Sequence, residues 1–197
     1  EQITAKRISR RVGCSSAGLL SGRLTDRAWE KVAVAMTDIS TKGLYLNDRY
    51  DLTVSQIGLL AQAVPELRAV IVDYLGLIQP AARSASTYEN ISQVSRELKR
   101  LALSLNVPVI CLAQLSRKVE ERQNKRPMLS DLRDSGAIEQ DADGVLFLFR
   151  EDYYTGPPAD GQPSQVELSV AKNRHGRTGE TSFNLWLHCS LFKEAGG

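Results

Sequence analysis

Three short, continuous apolar runs constrain this chain more than anything else in it: Ala69-Val70-Ile71-Val72, Val107-Pro108-Val109-Ile110-Cys111-Leu112-Ala113 and Val145-Leu146-Phe147-Leu148-Phe149. None alternates apolar with polar, which is the pattern of strands buried on both faces of a parallel sheet. Between the first two, Ser86 and Glu89 have capping-box spacing, and Ile91, Val94, Leu98, Leu101 and Leu105 recur at steps of three and four. That is an amphipathic helix. Strands and helices that alternate in this way predict an α/β fold with a mostly parallel central sheet flanked by helices. Val166–Val170 and Thr181–Leu187 add an antiparallel hairpin at the C-terminal edge. In such sheets ligands sit at the carboxyl ends of the strands. Asp73 closes the first run and Gln114 the second.

The remaining segments fit around this core. Residues 1–12 read as a basic helix, followed by a Gly- and Ser-rich break at 13–22. Thr25 is positioned to cap a helix carrying Trp29, Val32, Ala33, Met36 and Ile39, which Gly43 stops. Leu44–Leu46 reads as a short strand, and Thr53 as the cap of a helix with Val54, Ile57, Leu60, Ala61 and Val64, limited by Pro65. Residues 116–143 are polar and basic without clear periodicity, and Pro157–Pro163 is a turn-rich insertion.

Composition narrows the function classes. A chain of 197 residues predicts one domain over 1–197, able to bury roughly 70% of its unfolded surface. Lys plus Arg number 25 against 23 for Asp plus Glu, a net charge of +2, so any basic site must be local. No apolar run approaches the roughly 20 residues that span a bilayer, and the expectation is a cytoplasmic protein without a membrane partner. The three cysteines form no CxxC pair and there are two histidines, which argues against zinc and against a disulfide framework. The first residue is not Met, and a segment of a longer protein is expected.

The carboxylate after the first apolar run has the Walker B arrangement, in which a rigid strand holds an acid toward a Mg²⁺ ion and its waters. An ordinary strand-terminal Asp that caps the next turn has the same appearance. Gln114, one strand on and at the same end, has the chemistry to hydrogen-bond a γ-phosphate. Ser116–Gly136 carries Arg117, Lys118, Arg122, Lys125, Arg126 and Arg133 against Glu120, Glu121 and Asp131. Cations with backbone amides around Ser135-Gly136 suit a nucleic-acid backbone, and without aromatics they would read phosphates and not sequence. A solvated charged loop is the alternative. Lys172-Asn173-Arg174-His175-Gly176-Arg177, between the last two strands, is a cluster able to reach an anion on a neighbouring molecule. No G-x-x-x-x-G-K-[ST] occurs anywhere, so the chain by itself lacks the loop that cradles phosphates.

Taken together, Val70–Leu77, Ile91–Lys99, Leu105–Arg117, Lys125–Asp143 and Lys172–Gly176 resemble, in order and across nearly the whole chain, the C-terminal RecA-like motor domain of the DnaB family of bacterial replicative DNA helicases. The resemblance implies a RecA-like P-loop NTPase core using ATP and Mg²⁺, with Asp73 as the Walker B carboxylate and Gln114 as the γ-phosphate sensor. It implies that Arg133, Asp134 and Gly136 grip single-stranded DNA in a central channel, with Arg117, Lys125, Arg126 and Ser135 in the same basic loop. It also implies that Lys172 and Arg174 reach into the next subunit's ATP site as arginine-finger cations. The implied assembly is a homo-hexamer around one strand, and the implied partners of the parent protein are primase and a helicase loader. The family's phosphate loop and catalytic Glu lie upstream of the stretch resembling 1–12, so Glu1 is not that Glu and this segment alone is expected to be inactive. The sequence departs from the family at Gly76, Asp134 and His175, where Gln, Glu and Asn are usual. Two alternatives remain open at this point: a RecA-like recombinase or ring-forming regulatory ATPase without unwinding activity, and a subunit-interaction module that completes another copy's site through Arg174.

Overall fold

The structure is a computed structural model that describes residues 2–40, 43–84, 86–132, 135–159 and 161–195. It divides into two compact units, one of Glu1–Leu44, Leu148–Ser169 and Glu180–Gly197, the other of Tyr45–Phe147 and Val170–Gly179.

In the first unit, α1 (Gln2–Val12) packs against α3 (Asp26–Ser40), with Ala5, Ile8 and Ser9 of α1 and Val32 and Ala35 of α3 buried. Between them the expected Gly- and Ser-rich break contains a short helix, α2 (Ser16–Leu20), whose start is fixed by the Ser15 hydroxyl accepting from the Gly18 amide. Thr25 caps α3 as anticipated, accepting from the Ala28 amide at 3.3 Å. The buried stripe of α3 differs from the one anticipated. Ala35 is inside, while Ala33 and Met36 face solvent, because α1 and α3 meet largely on small residues. Arg11 and Asp38 pair across these helices at 2.8 Å.

Residues 44–46 form no strand; their side chains are exposed and find no partner edge among the described residues. In the second unit, α4 (Val54–Gln62) opens on a reciprocal capping box between Thr53 and Gln56 and ends before Pro65. Strand β1 (Val70–Val72) then leads through α5 (Thr87–Leu105) to β2 (Val109–Cys111), which pairs with it in parallel, Val70 with Val109 and Val72 with Cys111. The Ser86 hydroxyl caps α5 by accepting from the Glu89 amide. The Glu89 carboxylate does not close the box, since the Ser84 hydroxyl donates to it instead. Asn106 ends α5 in the left-handed region at φ 53°. Val54, Leu75, Ile78, Val94, Leu98 and Leu101 form the core of this unit, and Val72, Val109 and Cys111 lean on it.

The opposite face of the strand pair is a correction to the sequence reading. Ile71 is 65% exposed and Ile110, its register partner, 54% exposed. The apolar runs are therefore covered on one face only by the described residues.

The aperiodic stretch after β2 folds into α6 (Lys118–Glu121), a 3₁₀ turn at Leu129–Asp131 and α7 (Ser135–Asp141). Strand β3 (Gly144–Phe149) follows, with Val145 and Phe147 buried beside Leu132 and with Leu146 and Leu148 exposed. Next come α8 (Asp152–Thr155), β4 (Ser164–Asn173), β5 (Gly179–Trp186) and β6 (Leu191–Glu194). These four strands form their own sheet in the order β3-β4-β5-β6, with β6 antiparallel to β5. The strands thus lie in two sheets, one a parallel pair, and not in one mostly parallel sheet, because β2 does not pair with β3. The turn into β6 places Ser190 at φ 53°, a reversal that no Gly or Pro announces. Among the described residues no helix is long and apolar enough to cross a membrane.

Candidate functional site

Asp73 and Gln114 come together as their positions in the two apolar runs require. The Leu112 amide donates to the Val72 carbonyl at 2.9 Å and the Leu75 amide to the Leu112 carbonyl at 2.8 Å, so the chain leaves both strands at the same end of the pair. The side chains of Asp73 and Gln114 are exposed there, and neither makes a hydrogen bond or ion pair among the described residues. Gln114 lines a cleft with Tyr74, Leu75, Arg83, Asn90 and Ile138. A Cβ on Gly76 would lie 2.8 Å from the Tyr74 ring. A side chain at 76 would therefore need this exposed ring to turn aside.

The segment after Gln114 is tied to the basic stretch by backbone contacts. Leu115 forms an antiparallel bridge with Leu132, and the Ser116 amide donates to the Asp131 carbonyl at 2.7 Å. Asp131 is buried. Its carboxylate accepts from Arg122 Nη1 at 3.0 Å, Arg122 Nη2 at 2.6 Å and the Met128 amide at 2.9 Å. Arg122 is thus a brace inside the stretch, one that composition alone could not separate from its neighbours. Arg117 and Arg126 are exposed and Lys125 is half-buried. Arg133 and Asp134 lie outside the described residues, as does the side chain of Ser135. Gly136, in the first turn of α7, is exposed, and a Cβ there would lie 3.5 Å from the Tyr88 hydroxyl. Tyr88, at the start of α5, puts an aromatic beside this stretch from about fifty residues upstream in sequence, a separation that hid it from a local reading.

Lys172 lies within β4 and not in the turn where the sequence reading put it, because β4 continues to Asn173. Its Nζ donates to the Glu139 carbonyl at the end of α7. Arg174 donates from Nη1 to Asp143 Oδ1 and from Nη2 to the Gln140 carbonyl, both at 2.8 Å, and its amide donates to the Asp143 carbonyl at 2.7 Å. Lys99 Nζ approaches the other Asp143 oxygen at 2.5 Å. The hydrogen bond from Lys99 holds the Asp143 carboxyl below its ordinary range; burial opposes this as the next largest effect, and the charges of Lys99, Arg174 and His175 add to the lowering. The Asn173 side chain braces the turn, accepting from the His175 amide and donating to the Arg177 carbonyl. Lys99 is the contributor the sequence reading missed; Asp143, close to Asp141 and Glu139, is legible from sequence only as an acid expected to be solvated or to pair with a nearby Arg, and here it pairs with Arg174.

Against this geometry the comparisons with known proteins are consistent. The family model of the DnaB-like helicase C terminal domain matches residues 1–194. The replicative DNA helicase DnaC of Bacillus subtilis is 41% identical over 186 residues, which is 92% of this chain and 40% of that protein. The replicative DNA helicase DnaB of Geobacillus stearothermophilus is 40% identical over 183 residues, 91% of this chain and 40% of that protein. The chain thus spans about two fifths of the length of these relatives. Among solved structures, a DnaB-like replicative helicase described with its interactions with primase superposes with a TM-score of 0.88 at 37% identity, covering 95% of this chain and 46% of that one. A second solved structure, described as an ATPase domain, superposes with a TM-score of 0.87 at 36% identity, covering 96% of this chain and 69% of that one. A match over almost every residue, on a fold that brings the two strand-end polar groups to one edge, means that the chain belongs to the DnaB-like helicase C-terminal domain family.

Proposed function

We infer that this chain is the Walker B to arginine-finger portion of the RecA-like motor of an ATP-dependent replicative DNA helicase, acting as a homo-hexamer on single-stranded DNA. The observation that carries the reading is the placement of Asp73 and Gln114 at the carboxyl ends of adjacent parallel strands, together with the bridge that ties the Gln114 segment to the basic stretch. Asp73 fits a hydrated Mg²⁺ because it is an exposed carboxylate with no cation paired to it among the described residues. Gln114 fits a terminal phosphate, offering an amide that can donate. When bound, Mg²⁺-ATP supplies the phosphoryl group whose transfer to water drives the motor.

The roles of the chain's own residues follow from charge and position. Asp73 holds the metal's waters. Gln114 reports the state of the phosphate through the Leu115 to Leu132 bridge to the segment that precedes α7. Arg117, Lys125, Arg126, Arg133, Asp134, Ser135 and Gly136 meet the DNA strand, mainly at its phosphates. Lys172 and Arg174 neutralise charge at the neighbouring subunit's nucleotide. The phosphate-cradling loop, which has no match in these 197 residues, comes from another part of the parent protein. Primase and a helicase loader are its proposed partners; primase is supported by the similarity to a helicase described with primase.

The test is steady-state ATP turnover by the full-length protein with and without single-stranded DNA. DNA-stimulated turnover that is lost in Asp73→Ala and uncoupled from DNA in Gln114→Ala is the expected result. Wild-type turnover in an Asp73→Ala ring would contradict the assignment.

A further inference from the structure

Lys172 and Arg174 are held by one short element of their own chain. Both terminal nitrogens of the Arg174 guanidinium are engaged, one by Asp143 and one by the Gln140 carbonyl, and the Lys172 ammonium is on the Glu139 carbonyl. These carbonyls belong to the last turn of α7, where helix carbonyls lack partners within the helix and where a cation is favoured by the helix dipole. Asp143 is itself fixed by Lys99 from α5, so the anchor is built from two elements besides the hairpin. A guanidinium that spends its fork in this way has less of it to offer an external phosphate. The other end of α7 begins at Ser135, directly after residues 133 and 134. A rod of about 10 Å, at 1.5 Å per residue, therefore runs from Ser135-Gly136 at its start to the anchor of the cations at its end.

Resting on the function proposed above, we propose that Asp143 is a positioning residue for the hairpin cations. With the end of α7 it parks Arg174 and Lys172 on their own subunit, and displacement of α7 when DNA engages its first turn at Gly136 releases them toward the neighbour. Parking lowers the fraction of subunits competent to act in trans, and that fraction scales the turnover seen without DNA.

Two measurements on the full-length protein test this. The first is hydrogen exchange across residues 172–177 in the absence of nucleotide and DNA. Protection in the wild type, faster exchange in Asp143→Asn and restoration in Asp143→Glu are expected; unchanged exchange in Asp143→Asn overturns the anchor. The second is turnover. An exposed pair of this kind shifts a population by about two- to fivefold, so Asp143→Asn should raise DNA-free kcat by about that factor, leave KM for ATP unchanged and reduce the DNA stimulation ratio. An unchanged ratio, or equal losses with and without DNA, overturns the proposal. Faster exchange in Asp143→Asn combined with no DNA-stimulated turnover even in the wild type is evidence against the proposed function, since it leaves the anchor intact and the motor absent.

Discussion

Replacement of Asp131 tests the brace that shapes the basic stretch. The carboxylate is 4% exposed and accepts three hydrogen bonds, two of them from one guanidinium. Removing one member of a buried pair costs about 3–5 kcal/mol because the other is left without compensation. The Arg122 side chain is 30% exposed and can regain some water, which puts Asp131→Ala at the lower end, about 3 kcal/mol. Asp131→Asn keeps one acceptor oxygen and should cost less, about 1–2 kcal/mol. With two compact units, one global unfolding midpoint is a poor readout, so the assay is hydrogen exchange at the Ser116 amide, which donates to the Asp131 carbonyl. A local loss of about 3 kcal/mol accelerates exchange roughly a hundredfold in Asp131→Ala. Acceleration below about threefold would refute the account of Arg122 and Asp131 as the brace.

Three other outcomes follow from the structure. Asp143 should titrate below its ordinary value of 3.8; its contribution to holding the hairpin is then fully present above that value and lost as pH falls through the lower folded-state pKa, as a carboxyl-resolved NMR titration will register. Burial pushes the Cys111 thiol up to about 12, so iodoacetamide should alkylate it at pH 8 at least about a hundredfold more slowly than a free cysteine, measured by mass spectrometry. Gly76→Gln should cost less than about 1 kcal/mol, because the exposed Tyr74 ring it meets can turn aside, and a double-mutant cycle with Tyr74→Ala should show that the cost vanishes once the ring is gone.

The parts of the fold that were legible in the sequence are those set by local rules. The helix carrying Val94, Leu98 and Leu101, the Thr53 cap and the parallel pair ending at Asp73 and Gln114 follow from spacing, capping chemistry and strand length. What was not legible depends on neighbours. Runs such as Val70–Val72 read as buried on both faces, yet periodicity says only that a strand is apolar and not what covers it. The third central run, Gly144–Phe149, joins the C-terminal strands instead of β2, a choice of edge that is not local. At the candidate site, strand-end residues were visible because a polar group after an apolar run stands out. The pairing of Asp143 with Lys99 was not, since it spans 44 positions and becomes visible only once α5 and the hairpin are folded. Likewise Arg122 and Arg117 are alike in composition and differ only in that one reaches a buried carboxylate.

Unwinding of a forked DNA duplex by the full-length protein tests the central claim most directly. The account predicts strand separation that requires ATP and Mg²⁺, is abolished by Asp73→Ala, and falls faster than in proportion as Arg174→Ala subunits are mixed into wild-type rings. ATP turnover without strand separation, or unwinding that persists in Asp73→Ala, would contradict it.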